Sequence, residues 1–178
     1  MLKPVNAAGW LKDVNDNFDE LQGYVAGETY YVDLNAGDDD NNGLTWGSAF
    51  KTLAVALAAS HANIAASTFG YTARNRIFVK ADQTSDAEGE DLTKLAQKTD
   101  IIGVGSVDHL RGARIIGNHV IDTTSYMGCR FINMIFKAPA AGGDLFTIPT
   151  QQSGISFIGC TFDATSTAAA GGAIIATA

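Results

Sequence analysis

The sequence predicts a mainly β chain, a right-handed parallel β-helix whose N-terminal coils are preceded by a short amphipathic helix and a helical cap. Three observations carry that expectation. FINMIFKA (131–138) aligns without gaps on FIGCTFDA (157–164) at an offset of 26, with identities at Phe131/Phe157, Ile132/Ile158, Phe136/Phe162 and Ala138/Ala164. Repeats of that size with strand character imply coils that stack like on like, so Phe136 is expected over Phe162 and Lys137 over Asp163. From Arg76 onward, short β-forming runs follow one another between Gly, Asn, Asp and Pro: RIFVK, TDIIGVGS, GARIIGN, CRFINMIFKA, DLFTI, GISFIGCTFDA and GAIIA. Composition agrees, since Gly is 19 of 178 residues and charged residues are only 17%, below the usual quarter. An antiparallel sandwich also alternates and stays open as a second fold. A leucine-rich repeat does not, because no LxxLxL pattern recurs.

The chain divides into 1–28, 29–75 and 76–178. In the first zone Leu11, Val14, Phe18, Leu21 and Val25 are spaced 3, 4, 3 and 4 apart, the a/d seam of a short helix, with Gly23 as its stop. Two heptads are marginal alone in water, so the seam needs cover. Either it packs on its own domain, or it meets the same helix of sister subunits and sets a trimer. In the second zone Thr29 to Val32 reads as a strand, followed by the turn-rich stretch from Asn35 to Gly43. There Asp38, Asp40 and Asn42 with Gly43 in sixth place resemble the start of a Ca²⁺ loop, but the twelfth position is Ala49 and the bidentate Glu is missing. An Asx-rich turn that staples the loop explains the stretch equally well. Ser48 is a candidate cap for a helix on which Phe50, Leu53, Leu57 and Ile64 share a face, and His61 reads as a surface residue near its end.

In the third zone DQTSDAEGEDLTKLAQK (82–98) is an acidic excursion, and the stop at GGAIIATA reads as the front of a longer protein. Cys129 and Cys160 lack metal or redox spacing and read as buried free thiols. A net charge of −7 without a basic stripe argues against nucleic acid. Arg74, Arg76 and Lys80 lie close together, but nothing continues their pattern. There is no signal-peptide pattern and no membrane-spanning run.

YYVDLNAGDDDNNG (30–43), then WGSAFKTLAVALAAS (46–60), then NRIFVKA (75–81), with IIGVG and GISFIGCTF further on, resembles the opening of pectin-lyase-like right-handed β-helix proteins, of the kind found in phage tail spikes and tail fibres. That resemblance implies a structural component of a phage tail appendage (spike, fibre or adaptor) with a trimeric β-helix, located on the virion. Its alternative is a carbohydrate-active β-helix enzyme, a polysaccharide lyase or glycoside hydrolase of depolymerase type, extracellular or at a cell surface, with its active site beyond residue 178. The partners implied are sister copies, other virion or tail proteins bound through the N-terminal region, and surface glycans. No catalytic or cofactor-binding residues are assigned: His119, Asp122, Arg130, Lys137 and Asp163 read as solvated surface, Gly103 and Gly105 as turns, and Ca²⁺ at Asp38, Asp40 and Asn42 is the one candidate metal.

Overall fold

The computed structural model describes residues 27–67, 73–81, 98–105, 112–117, 119–120, 128–138, 145–148, 154–163 and 175–177. The seam residues Leu11, Val14, Phe18, Leu21 and Val25, the acidic excursion at 82–97 and Asp122 lie outside them.

The chain begins with β1 (Thr29–Val32), passes a short 3-10 turn (Trp46–Ser48) and enters α1 (Leu53–Ala66). Strands β2 (Asn75–Lys80), β3 (Thr99–Val104), β4 (Ala113–Ile116), β5 (His119–Val120), β6 (Arg130–Ile132), β7 (Met134–Lys137), β8 (Phe146–Ile148), β9 (Ser156–Ile158), β10 (Thr161–Asp163) and β11 (Ile175–Thr177) follow. All named pairings are parallel. They form a five-stranded sheet in the order β1-β2-β3-β6-β9 and two three-stranded sheets, β10-β7-β4 and β11-β8-β5. After the lead-in of β1, α1 and β2, the chain visits the three sheets in the same order three times.

These sheets correct the fold class expected from sequence. The expectation was a mainly β right-handed parallel β-helix of the pectin-lyase-like kind, with its first coils running from Arg76. What is found is a small α/β fold of parallel sheets with one α-helix among the described residues. Register partners Tyr30, Ile77, Ile101, Phe131 and Phe157 in the first sheet are 47, 24, 30 and 26 residues apart. In the second sheet Ile115, Phe136 and Phe162 are 21 and 26 apart. The 26-residue match is therefore one step of the stack and not the period of a solenoid. Connections can differ this much because closing a longer loop costs little extra entropy. Moreover, β1 and β2 have no companion strands in the two smaller sheets among the described residues.

The aromatic register does hold. Phe157 pairs with Phe131 and Phe162 with Phe136, with rings stacked nearly parallel at 5.4 and 5.5 Å. Phe146 meets Phe136 edge-on at 4.9 Å. Phe131, Phe136 and Phe146 are fully buried, and each such ring pair contributes about 0.5–1.5 kcal/mol beyond area burial. Two runs that look continuous in sequence are split by left-handed residues, CRFINMIFKA at Asn133 (φ 56) and GISFIGCTFDA at Gly159 (φ 61). Each bend sends the chain from the first sheet to the second.

The helix closes one end of this core. Leu53, Ala56, Leu57, Ser60 and Ile64 form its buried face. Thr52, and not Ser48, is its N-cap, the hydroxyl accepting from the Val55 N–H. Asp39 takes the Lys51 and Thr52 N–H groups at 2.9 and 2.8 Å and the Thr52 hydroxyl at 3.0 Å. A buried polar set pins the helix to the sheet: Ser60 and Thr99 hydroxyls are 2.7 Å apart, and the Asn75 amide donates to the Ser60 carbonyl and hydroxyl oxygens. Buried polar groups cost heavily unless paired, so this set specifies where the helix sits.

Candidate functional site on the outer face of the five-stranded sheet

Strand alternation places Tyr30, Val32, Ile77, Val79, Ile101 and Phe131 inward, each at most 7% exposed. The residues between them form rows across the other face, about 4.8 Å from strand to strand. One row is polar, Thr29, Arg76, Asp100, Arg130 and Ser156; the next is apolar, Tyr31, Phe78, Ile102, Ile132 and Ile158.

At its β1 end the apolar row continues into Trp46, whose ring meets Tyr31 edge-on at 4.8 Å; Tyr31 meets Phe78 at 5.8 Å. Trp46 is 43% exposed and Ile158 48%. The turn that presents Trp46 is held by the Asx-rich loop. Asn42 Oδ1 accepts from the Leu44 N–H and the Ser48 hydroxyl, and the Thr45 and Ser48 hydroxyls are 2.9 Å apart. Three backbone bonds lay this segment along the free edge of β1: Tyr31 N–H to Gly43 O, Phe50 N–H to Tyr31 O and Asp33 N–H to Phe50 O.

In the polar row Asp100 is 4% exposed. One oxygen takes Arg74 Nε and Nη2 at 2.9 and 2.6 Å, and also Arg130 Nε at 2.7 Å, while the other takes Arg130 Nη2. Arg74 Nη2 also reaches the Gly128 carbonyl oxygen at 2.8 Å. Burial alone pushes the Asp100 carboxyl up, but hydrogen bonds from Arg130 and Arg74 and their charges hold it below the usual carboxylate range. Arg76, beside Asp100 in register, is exposed. At the far margin Lys80 pairs with Asp33 at 2.6 Å, and Asp33 also accepts the Asn35 and Ala36 N–H groups. Burial raises the Asp33 carboxyl as well, and the Lys80 and backbone hydrogen bonds bring it net below its ordinary value.

The residues singled out from sequence fall in different places. Asp38 Oδ1 accepts the Asp40 N–H at 3.0 Å and Asn42 holds the tryptophan turn, so both staple the loop. Among the described residues no three His, Cys, Asp or Glu side chains are grouped as a metal site needs. His119 is not surface: it opens β5 and is fully buried against Phe136 and Phe146. Lys137 and Asp163 are register partners, as expected. Cys129 is buried and Cys160 half-buried, both as free thiols. Sequence reasoning missed Asp100 as the hub joining Arg74 to Arg130, and missed Trp46 altogether. An Arg–Asp–Arg row at strand positions 76, 100 and 130 was the available signal, and it needed the register to be seen.

Comparison with protein-family models, curated proteins and solved structures finds no match. The pectin-lyase-like resemblance is thus unsupported by relatives and, with uneven coils and an α/β class, is corrected. The tail spike, fibre or adaptor role with a trimeric β-helix, and the depolymerase alternative, rest on that resemblance and are corrected with it.

Proposed function

We propose that this chain is a glycan-binding module that works through the outer face of its five-stranded sheet. The observation that carries the reading is the aromatic row of Trp46, Tyr31 and Phe78 lying directly beside a row of hydrogen-bonding side chains. A sugar ring has an apolar C–H face and a hydroxyl rim. Tyr and Trp combine an apolar body with a polar handle and suit such amphipathic ligands, while Thr29, Arg76 and Ser156 supply donors for the rim. The carboxylates on this face accept bonds from the protein's own groups, which favours binding over acid–base chemistry. Self-association through the Leu11–Val25 seam would add avidity by presenting several faces together, and light scattering before and after removal of residues 1–25 tests it.

The test uses Trp46 as the reporter, with Trp10→Phe removing the second tryptophan of the chain. Oligosaccharides of bacterial and plant surfaces are titrated while fluorescence is followed. A saturable change, together with saccharide binding by calorimetry that is lost in Trp46→Ala at unchanged thermal stability, supports the reading. A face that ignores every saccharide but captures a purified protein partner would replace it with a protein-docking role.

A further inference from the structure

Resting on that reading, we infer that the polar row is a subsite for a tetrahedral oxyanion, a phosphate or sulfate group carried by the saccharide. Arg74 and Arg130 both pair with the single carboxylate of Asp100, and Arg76 is its register neighbour on the adjacent strand, so three arginines share one carboxylate and two positive charges stand unmatched within this cluster. The surrounding chain is acidic, with a net charge of −7, which makes a concentrated positive spot on one sheet face a local feature.

The geometry separates support from recognition. Asp100 is buried and both of its oxygens are taken up by Arg74 and Arg130. It therefore orders two guanidinium groups and does not compete as an exposed anion. Its bonds use Nε and Nη2 of each arginine, so the Nη1 groups take no part in holding Asp100, and the two side chains are 33% and 41% exposed. Arg76 adds an exposed guanidinium one strand away, and the exposed Ser156 lies next to Arg130 in register. Arg76 and Arg130 sit two strands apart, about 10 Å at their backbones. A planar carboxylate matches one guanidinium fork. A phosphate monoester, a dianion with three terminal oxygens, can be shared between guanidinium groups carried by different strands, and its charge equals the two left over; a sulfate ester offers the same three oxygens with a single charge. The aromatic row begins two residues along each strand, so a sugar stacked on Phe78 and Tyr31 can place an ester group over Arg76.

The experiment titrates the intact chain by calorimetry with inorganic phosphate, inorganic sulfate, glucose 6-phosphate and glucose. The expected result is saturable binding of the phosphorylated sugar, weakened about tenfold by Arg76→Gln and by raising salt from about 50 to 200 mM. Arg76 is exposed, so the variant should keep its thermal midpoint. Tighter binding of the sugar ester than of inorganic phosphate identifies the ligand as an ester; equal binding identifies the free oxyanion. Binding unaffected by both Arg76→Gln and Arg76→Glu, or no binding of any anion, overturns the subsite. Loss of glycan binding in Trp46→Ala with no effect of Arg76 substitution would overturn the subsite alone and leave the glycan-binding reading standing.

Discussion

Asn133 is where one side chain and one backbone conformation can be separated by two substitutions. It lies between β6 and β7 at φ 56, and its amide reaches back across the stack to the Gly103 carbonyl at 2.7 Å and the Gly105 carbonyl at 3.3 Å. Asn133→Gly keeps the left-handed conformation and removes both bonds. The better bond is worth about 1 kcal/mol net, and added freedom of the unfolded chain costs roughly 0.5 more, so a loss near 1.5 kcal/mol is expected. Asn133→Ala loses the same bonds and lacks the short polar side chain that lets asparagine tolerate the left-handed region, so it takes on up to about 1–2 kcal/mol of that strain, for a total of roughly 2–3. Gly159 provides the backbone control: it has φ 61 at the matching turn, and an added Cβ there meets nothing within 4 Å. Gly159→Ala should therefore cost only the conformational part, about 1–2 kcal/mol. The assay is equilibrium urea unfolding, with unchanged m-values required for comparison. If Asn133→Ala proves as stable as Asn133→Gly while Gly159→Ala is neutral, the assignment of both turns to the left-handed region is wrong.

Three other outcomes follow from the same bonds. Asp39→Ala removes the acceptor for two backbone N–H groups and a hydroxyl at the entrance to α1, and should cost about 1–2 kcal/mol by urea unfolding, with partial loss of helical circular dichroism. Burial pushes the Cys129 thiol up to about 11, so under native conditions at neutral pH a thiol reagent should label the half-buried Cys160 first, with Cys129 following only on unfolding; equal rates would contradict the packing. Asp100 is held below its ordinary value despite burial, so its ion pairs stabilise the fold above the unfolded carboxyl's titration and are lost as pH falls through the depressed folded value. The thermal midpoint should drop with acid in that range, and Asp100→Asn, already weaker at neutral pH, should show a flatter dependence.

How much of this was readable before the fold was known depended on whether a feature was local or set by register. The FINMIFKA/FIGCTFDA match correctly paired Phe131 with Phe157 and Phe136 with Phe162, because the stack repeats the same inward positions at that step. Thr29 to Val32 was legible as β1 from its β-forming residues. The coil of about 26 residues was over-read from one step, since loops of unequal length join strands that still align. Asn133 and Gly159 were hidden inside apolar runs, because a single left-handed residue leaves no periodic trace. His119 looked polar and therefore exposed, whereas the ring is enclosed by phenylalanines on neighbouring strands. For the candidate site, Arg74, Arg76 and Arg130 were all noticed, but in two separate groups, because the register Arg76, Asp100, Arg130 joins residues 24 and 30 apart that share no sequence match.

The same register explains why binding is assigned to this face and not to the interior or the helix. Among the described residues the inward positions of the stack are filled by large apolar side chains, with Phe131, Phe136, Ile77 and Ile101 fully buried, so a ligand there would have to unpack this core. The helix spends its apolar face and its one buried hydroxyl on the sheet. On the outer face, by contrast, parallel pairing puts like positions of successive strands side by side, so a substitution at one of them changes a whole row. A row of aromatic and aliphatic groups next to a row of guanidinium groups is therefore a continuous surface built from short, distant segments. Its assembly depends on the fold, and its chemistry depends on the loop: release of the Asn42 staple in Asn42→Ala should leave the polar row intact, free the Trp46 turn, and weaken saccharide stacking while sparing any phosphate binding at Arg76.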